Sequence, residues 1–182
     1  MNLKEKQLTS DYKFKGRIIS LRQDSVLLPN GNTATREVVE HPGGVCVAAL
    51  TDNDELLFVR QWRYPYGEET LEIPAGKRDR QDEDPLECGK RELQEETGAS
   101  AENYVDLYPL YPTPGYINEV IYCYLATGLT FGEQNTDEDE FLDVLRIPLE
   151  KAVEMVLSGE IKDAKTQIAV LKVKVLRDAG KI

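Results

Sequence analysis

The most informative stretch of this 182-residue chain is GKRDRQDEDPLECGKRELQEETGA, which runs from Gly76 to Ala99. Its second half carries the signals of a helix. Asp84 is a suitable N-cap, Pro85 suits the first helical position, and Gly98 can end the helix. These signals predict a helix over 85–97, preceded by a charged, glycine-containing loop.

Three acidic residues, Glu92, Glu95 and Glu96, lie close together in the second half of this predicted helix. At 3.6 residues per turn, Glu92 and Glu96 lie together at one margin of the core-facing stripe, and Glu95 lies further round. Like charges four residues apart destabilise a helix, so a positive partner is expected between them. Oxygen-only ligands favour Mg²⁺ or Mn²⁺. Taken alone, however, an acidic triple is more often a solvated face paired with Lys or Arg.

Composition and charge exclude several classes of function. The net charge is −11, the wrong sign for a protein that holds nucleic acid through its phosphates. With His41 as the only histidine, a Ser-His-Asp triad is improbable and zinc sites with two or more histidines are excluded. The three cysteines lack metal-ligand spacing and are expected to be buried, reduced thiols. Carboxylates are therefore expected to carry the chemistry.

The chain also lacks the signals of a membrane or secreted protein. No apolar run approaches the ~20 residues that a membrane helix needs, and the N-terminal stretch MNLKEKQLTSDYKFKG has no apolar core for a signal peptide. We therefore expect a cytoplasmic protein without a membrane partner. The length suits one main domain with a small appendage.

The N-terminal part reads as a separate β unit. Residues 12–40 are rich in apolar and β-branched residues around the turn signal PNGN at 29–32, which predicts a hairpin or a three-stranded piece. The HPGG stretch at 41–44 suits a boundary between this unit and the main domain. We therefore expect an N-terminal β unit over 1–42 that forms a dimer, and a main domain over 43–182.

The main domain mixes strands and helices without strict alternation. Helices are predicted over 148–158 and 163–178, and an acidic loop, GEQNTDEDE, occupies 132–140. The predicted strands are VCVAAL, ELLFVRQW, TLEI, YVDLYPLYP, VIYCYLATGL and FLDVLRI. This mixture favours an α/β sandwich around a mixed sheet over a doubly wound parallel sheet.

The spacing of the glycine and the acidic residues in and before this helix resembles the motif of a known family. Gly76 is followed by six residues, Glu83, seven residues, and RELQEETGA at 91–99. This resembles the Nudix box, whose pattern is G, five residues, E, seven residues and REUxEExGU, with U apolar. The loop has one extra residue, which we expect to bulge without disturbing the helix. Either Glu83 or Asp82 then occupies the first acid position.

The Nudix resemblance implies a fold and a metal site. The implied fold is an α/β/α sandwich around a mixed β-sheet, here with the small N-terminal β unit. The implied activity is hydrolysis of a nucleoside diphosphate linked to another group, with divalent metal bound by the box glutamates. Glu92, Glu96 and the carbonyl of Ala75 are then metal ligands, Glu95 joins when several ions bind, and Arg91 orients the acids.

Outside the box, several segments resemble the ADP-ribose pyrophosphatase subfamily. They are REVVEHPGG, VRQWRYP, LEIPAG, YPTPGYINEVIYCYLATGL and GEIKDAKTQIAVLK. In this subfamily a proline lies about sixteen residues beyond the box, the position of Pro114. The resemblance makes Arg63 a pyrophosphate contact, Glu119 a substrate contact, and Arg36 a contact that reaches the substrate from the partner subunit. Arg63 as a surface pair partner and Glu119 as a solvated strand residue are the alternatives.

The acidic loop holds the second group of interest. Glu138, Asp139 and Glu140 resemble the E-x-E pattern that the subfamily has before an apolar strand. The resemblance implies that Glu138 is the general base and that Glu140 is an occasional metal ligand. A loop that closes over substrate would suit that role, although acidic loops are usually just solvated.

Together these features predict a homodimeric, Mg²⁺- or Mn²⁺-dependent enzyme that hydrolyses ADP-ribose to AMP and ribose 5-phosphate. One alternative is a hydrolase of another small-molecule nucleoside diphosphate sugar, such as GDP-mannose. Another is a sensor that binds ADP-ribose without cleaving it, although the intact acids make this less favoured.

Overall fold

The computed structural model describes residues 2–80, 82–136 and 140–182. By the contacts of these residues the chain divides into two compact units, one within 1–43 and 111–120 and one within 44–110 and 121–182. The elements in chain order are β1 (Lys6–Lys15), β2 (Ser20–Leu27), β3 (Thr33–Glu40), β4 (Gly44–Ala49), β5 (Glu55–Arg63), β6 (Glu68–Glu72), β7 (Ala75–Lys77), α1 (Pro85–Thr97), β8 (Ala99–Asp106), β9 (Ile121–Phe131), β10 (Leu142–Pro148), α2 (Leu149–Leu157) and α3 (Ala164–Asp178).

The first unit is an antiparallel sheet in the order β1-β2-β3. The predicted turn lies between β2 and β3, where Gly31 has a positive φ and donates its N–H to the carbonyl of Leu28. Every residue of β1 is exposed, and only Asp24 and Val26 among the residues of β2 are buried. The sheet therefore has almost no core of its own.

The segment 111–120 joins this first unit through backbone hydrogen bonds. The N–H of Val39 donates to the carbonyl of Tyr116 at 2.7 Å, and the N–H of Asn118 donates to the carbonyl of Val39 at 3.1 Å. The units separate at Gly43–Gly44, one residue from the predicted boundary. The predicted division into 1–42 and 43–182 did not assign 111–120 to the first unit. The division into two domains stays a prediction.

The second unit has a mixed sheet and a smaller antiparallel one. The mixed sheet has the order β7-β4-β9-β8, in which β4 and β9 are parallel and the other neighbours are antiparallel. The antiparallel sheet has the order β10-β5-β6. The predicted α/β fold with a mixed sheet is confirmed.

Helices cover both faces of the central strand β4, and its alternating side chains show which face each helix covers. Cys46 and Ala48 belong to an apolar cluster with residues of α2 and α3, whereas Val47 and Ala49 belong to a cluster with Leu93 of α1. Because successive side chains of a strand point to opposite faces, α1 lies on one face and α3 on the other. This is the α/β/α arrangement.

Three strands differ from the sequence-based prediction, and the first is β1, which begins at Lys6 rather than at residue 12. The stretch 75–77, predicted as loop, is β7 and pairs with β4. Strand β8 begins directly after Gly98 rather than near Tyr104, and it ends before Tyr108, whose left-handed backbone (φ 67°) turns the chain. The longest helix in the described ranges, α3, has 15 residues, and no helix there is long and apolar enough to cross a membrane.

Candidate active site

Helix α1 is fixed at both ends, which sets the positions of its acidic side chains. The Asp84 carboxylate accepts hydrogen bonds from the N–H groups of Leu86 (2.9 Å) and Glu87 (3.1 Å). At the other end Gly98 adopts a left-handed conformation (φ 69°) and donates its N–H to the carbonyl of Gln94. The predicted helix over 85–97 is confirmed.

Glu92 and Glu96 lie deeper than the margin that the helical wheel predicts, with only 8% and 4% of their surfaces exposed. Strand β7 accounts for this burial. The N–H of Ala75 donates to Glu96 Oε2 at 2.9 Å. A Cβ at Gly76 would lie 1.9 Å from Cδ of Glu92, so any other residue at this position would displace the Glu92 carboxylate. The glycine of the box is therefore explained by contact with a box acid.

Burial disfavours the ionised form of these two acids. It is the main cause that raises the pKa of Glu92 to about 7 and that of Glu96 to about 8. The charge of Arg91 partly offsets the effect at Glu92, and the N–H of Ala75 partly offsets it at Glu96. Negative charges on neighbouring acids also raise the pKa of each. A pair of buried, under-compensated carboxylates is chemically suited to a hard divalent cation.

The described residues supply only part of a metal coordination shell. Among them, no three His, Cys, Asp or Glu side chains come close enough together to hold a metal ion. Glu92 and Glu96 provide oxygen donors, and the Ala75 backbone runs beside them. The roles of the Ala75 carbonyl and of Glu140 as further ligands stay predictions.

Arg91 connects the acids of the box. Its Nη1 lies 2.9 Å from Glu92 Oε1 and 2.9 Å from Glu95 Oε2, and its Nη2 lies 3.5 Å from Glu83 Oε1. Burial opposes the charge of Arg91, but Glu92 and Glu95 raise its pKa above the ordinary value. Arg91 is therefore a positive partner of Glu92 and Glu95, and its geometry suits an orienting role. The positive partner expected between Glu92 and Glu96 stays a prediction.

The loop before α1 distinguishes the two candidates for the first box acid. Glu83 Oε2 accepts a hydrogen bond from the N–H of Asp79 at 2.7 Å, and the same carboxylate approaches Arg91. Asp82 instead pairs with Arg80 at 3.4 Å, with 82% of its side chain exposed. Glu83 is therefore the acid that contacts the helix despite the extra residue.

The loop that follows β9 is tied to the end of α1. The N–H of Gly132 donates to the carbonyl of Gly98 at 2.7 Å, and the N–H of Asn135 donates to that of Glu95 at 3.0 Å. Gln134 Nε2 donates to the carbonyl of Glu96 at 2.7 Å. Because the last carbonyls of a helix lack partners within it, these bonds cap α1. No motif in the sequence marks Gln134 for this role.

The two predicted acids of this loop are described unequally. Glu138 lies outside the described residues. Glu140 is exposed, and its charge contributes to the raised pKa values of Glu92 and Glu96. Glu140 is therefore within electrostatic range of both buried box acids.

Arg63, at the end of β5, pairs with a residue that the sequence analysis did not single out. Its Nε and Nη2 donate to the two carboxylate oxygens of Glu72 at 2.6 and 2.7 Å. Glu72 is also held by Lys165 of α3. The only sequence signal was an acid inside the otherwise apolar stretch LEI. Substrate contact by Arg63 stays a prediction.

The other predicted substrate residues belong to the first unit. Arg36 donates to both carboxylate oxygens of Glu5, at 3.0 and 2.6 Å. Glu119 Oε1 lies 3.4 Å from Nδ1 of His41, and Pro114 is exposed. The roles of Arg36, Pro114 and Glu119 stay predictions.

Comparison with known proteins gives the family of this fold and site. The model of the NUDIX domain matches residues 40–169, and that of the nucleoside diphosphate sugar hydrolase N-terminal domain matches residues 5–39. The chain therefore belongs to the Nudix hydrolase family.

Individual relatives resemble the chain over nearly its whole length. An ADP-ribose pyrophosphatase of Bacillus subtilis (strain 168) is 40% identical over 171 residues, which are 93% of this chain and 92% of the relative. A methanol dehydrogenase activator of Bacillus methanolicus is 41% identical over 168 residues, which are 91% and 90% of the two chains. A crystal structure of an ADP compounds hydrolase covers both chains fully with a TM-score of 0.85 at 22% identity, and this likeness supports the fold alone.

Proposed function

We propose that this protein hydrolyses the pyrophosphate of ADP-ribose to give AMP and ribose 5-phosphate. The observation that carries the proposal is the pair of buried acids, Glu92 and Glu96, packed against β7 and linked by Arg91 to the other acids of the box. The likeness to an ADP-ribose pyrophosphatase over 93% of the chain favours this substrate. The name of the Bacillus methanolicus relative states no substrate, so that relative does not bear on the choice of substrate.

The proposed cofactor is Mg²⁺ or Mn²⁺. Glu92, Glu96, the carbonyl of Ala75 and Glu140 would hold it. Such a cation would neutralise the pyrophosphate and make the attacking water more acidic near neutral pH. It would also reduce the repulsion between a protein of net charge −11 and an anionic substrate.

The side chains of the chain divide the remaining work. Arg91 holds Glu92 and Glu95 in place, and Glu95 serves as a further acid when more than one cation binds. Glu138 is proposed as the general base that accepts a proton from water. A loop acid suits this role because the buried helix acids are committed to the cation.

Four further residues are proposed to bind the substrate, which is a small-molecule nucleoside diphosphate sugar. Arg63 would contact the pyrophosphate, and Glu119 and Pro114 would contact the rest of the substrate. Arg36 would come from the partner subunit of a homodimer. The first unit leaves several large apolar side chains exposed, which supports the dimer because an interface would bury such side chains; they are Leu8, Tyr12, Phe14, Ile18 and Ile19. The cytoplasmic location stays a prediction.

A substrate panel tests this proposal. Purified protein is incubated with Mg²⁺ and ADP-ribose, GDP-mannose or another sugar nucleotide, and nucleoside monophosphate release is measured. We expect AMP from ADP-ribose at the highest kcat/KM. Preference for GDP-mannose would replace the proposed substrate, and tight ADP-ribose binding without turnover would indicate a sensor.

A further inference from the structure

The cluster around Glu72 lies beside the acids of the box and has no assigned role. Glu72 ends β6, and only 3% of its side chain is exposed. Its carboxylate accepts hydrogen bonds from Arg63 of β5, from Lys165 of α3, and from the Thr70 hydroxyl at 2.6 Å. Lys165 also pairs with Asp163 at 3.1 Å. Side chains from two strands and one helix therefore converge on one carboxylate.

These charges are permanent at physiological pH. Burial alone would raise the pKa of Glu72, but Arg63 and Lys165 lower it to about 2. Burial alone would lower the pKa of Lys165, but Glu72 and Asp163 raise it. Arg63 and Lys165 are positive and Glu72 and Asp163 are negative, so the four side chains together are neutral. Buried charges are costly even when they are paired, and a well-packed apolar group often serves stability equally well.

The way in which Arg63 is held leaves one edge of its guanidinium free for a ligand. Within the described part of the chain, its hydrogen bonds all go to Glu72, through Nε and Nη2. A guanidinium has five N–H donors in a fixed plane, so this pairing leaves both donors of Nη1 and one of Nη2. These remaining donors form the fork that binds phosphate through two parallel hydrogen bonds.

The exposed part of Arg63 also lies near the box. Its side chain is 39% exposed, whereas that of Glu72 is buried. Glu72 contributes most to the raised pKa of Arg63, burial opposes the rise, and the charges of Asp163 and then Glu96 make smaller contributions. The Arg63 side chain is therefore anchored on a buried carboxylate, partly exposed, and within electrostatic range of Glu96.

We propose that Glu72 is a positioning residue that acts through Arg63, fixing the guanidinium so that its free fork meets the pyrophosphate. This inference rests on the proposed function. Lys165 and Thr70 hold the Glu72 carboxylate in turn, so that it cannot rotate away from Arg63. The charge of Glu72 supports binding indirectly, although a carboxylate near a pyrophosphate would by itself repel it.

A double-mutant cycle in kcat/KM tests this role. The four proteins are the wild type, Glu72→Gln, Arg63→Lys and the double variant, assayed with Mg²⁺ and ADP-ribose. Each single change should lower kcat/KM by roughly 10- to 100-fold, because a clamp displaced by about 1 Å can cost that much. The kcat/KM of the double variant should be no more than about 3-fold below that of the less active single variant, because both changes remove the same interaction.

A purely structural role of Glu72 would give a different kinetic pattern. Partial unfolding removes active molecules, so it lowers apparent kcat and leaves KM unchanged. Loss of a pyrophosphate contact that is present in the bound substrate instead raises KM. We therefore expect Glu72→Gln to act mainly on KM. Val170→Ala, which removes buried core volume in α3 but none of the charged side chains, is the destabilised control and should leave KM unchanged.

The outcomes separate this inference from the proposed function. Additive losses in the cycle, or a loss in kcat alone, would overturn the positioning role while the wild type still hydrolyses ADP-ribose. If the wild type prefers another sugar nucleotide, the proposed substrate fails and the same cycle is measured on that compound. A wild type that hydrolyses none of them would overturn both.

Discussion

Buried acidic side chains behave in opposite ways in this protein, according to the cations around them. Glu72 contacts two cationic side chains, and its pKa falls to about 2. Glu92 shares Arg91 with other acids, and Glu96 has a backbone N–H as its nearest donor, so burial prevails and their pKa values rise. The sign of each shift marks Glu72 as satisfied within the chain and the other two as suited to an added cation.

The first prediction concerns the stability that Glu72 provides. Because its folded pKa is below the unfolded value of 4.5, its contribution is present above about pH 4.5 and is lost as the pH falls toward 2. Glu72→Gln should lower the free energy of unfolding at pH 7 by about 3 kcal/mol. Urea unfolding from pH 7 to pH 3 measures this. A gap between variant and wild type that does not narrow on acidification would contradict the assignment.

The second prediction concerns Glu96. Its folded pKa is above the unfolded value, so in chelator the wild type should become more stable as the pH falls from about 8 toward 4.5. Glu96→Gln should therefore melt above the wild type at pH 9, and the difference should disappear near pH 5. With Mg²⁺ the variant should lose kcat by orders of magnitude.

Glu87→Gln is the matched control for Glu96→Gln. Glu87 lies on the same helix but is exposed and pairs with Lys90, so its substitution should change neither the melting profile nor kcat. Full activity of Glu96→Gln in Mg²⁺ would refute its role as a ligand.

The third prediction concerns the general base. Glu138→Gln should reduce kcat by about 10²–10⁴-fold, with affinity for metal and ADP-ribose little changed. Glu133→Gln, in the same acidic loop, is the control and should keep normal kcat. If Glu138→Gln stays active while Glu140→Gln or Glu119→Gln is inactive, the base is one of those two residues instead.

At the scale of elements, the short strand β7 sets the geometry of the box acids. Gly76 has an ordinary backbone conformation, so its importance lies in the space that a side chain would occupy. The fourth prediction is that Gly76→Ala displaces the flexible carboxylate of Glu92 and lowers kcat and metal affinity, while the melting temperature changes little. Gly132→Ala, whose Cβ would meet only an ordinary contact at 3.7 Å, is the control. Metal titration and kinetics distinguish the two variants.

The sequence predicts most elements because their signals are local. Helix α1 has both caps within its own sequence, and β2 and β3 flank a recognisable turn. Strand β7 was missed because three residues rich in glycine and alanine carry no β signal, and only pairing with β4 makes them a strand. The start of β8 was missed because ASAEN is polar, although it pairs along β9.

The candidate site was predictable where its residues follow one another along α1 and its preceding loop. The Glu72 cluster was not, because Lys165 lies 93 residues further along the chain. Gln134 was not predictable for a related reason: its partner is a backbone carbonyl, which leaves no trace in the pattern of side chains. Contacts of this kind exist only once the fold is formed.

At the scale of the whole molecule, the fifth prediction is a homodimer with shared sites. Co-expressed Arg36→Ala and Glu96→Gln chains, each inactive alone, should recover about a quarter of wild-type activity, because half of the dimers would be mixed and each would hold one complete site. Sedimentation at assay concentration gives the oligomeric state. An active monomer would contradict both the dimer and the borrowed arginine.

The six-residue spacing between Gly76 and Glu83 also bears on how such proteins are found and altered. The extra residue is accommodated because Glu83 keeps its contact with Arg91 while Arg80 and Asp82 remain at the surface. A search written as a fixed count of letters would reject this chain, whereas one written as a distance between a loop carboxylate and a helix guanidinium would accept it. Because their side chains are exposed, Arg80 and Asp82 are the positions of this loop best suited to carry a fluorescent label without disturbing the acids of α1.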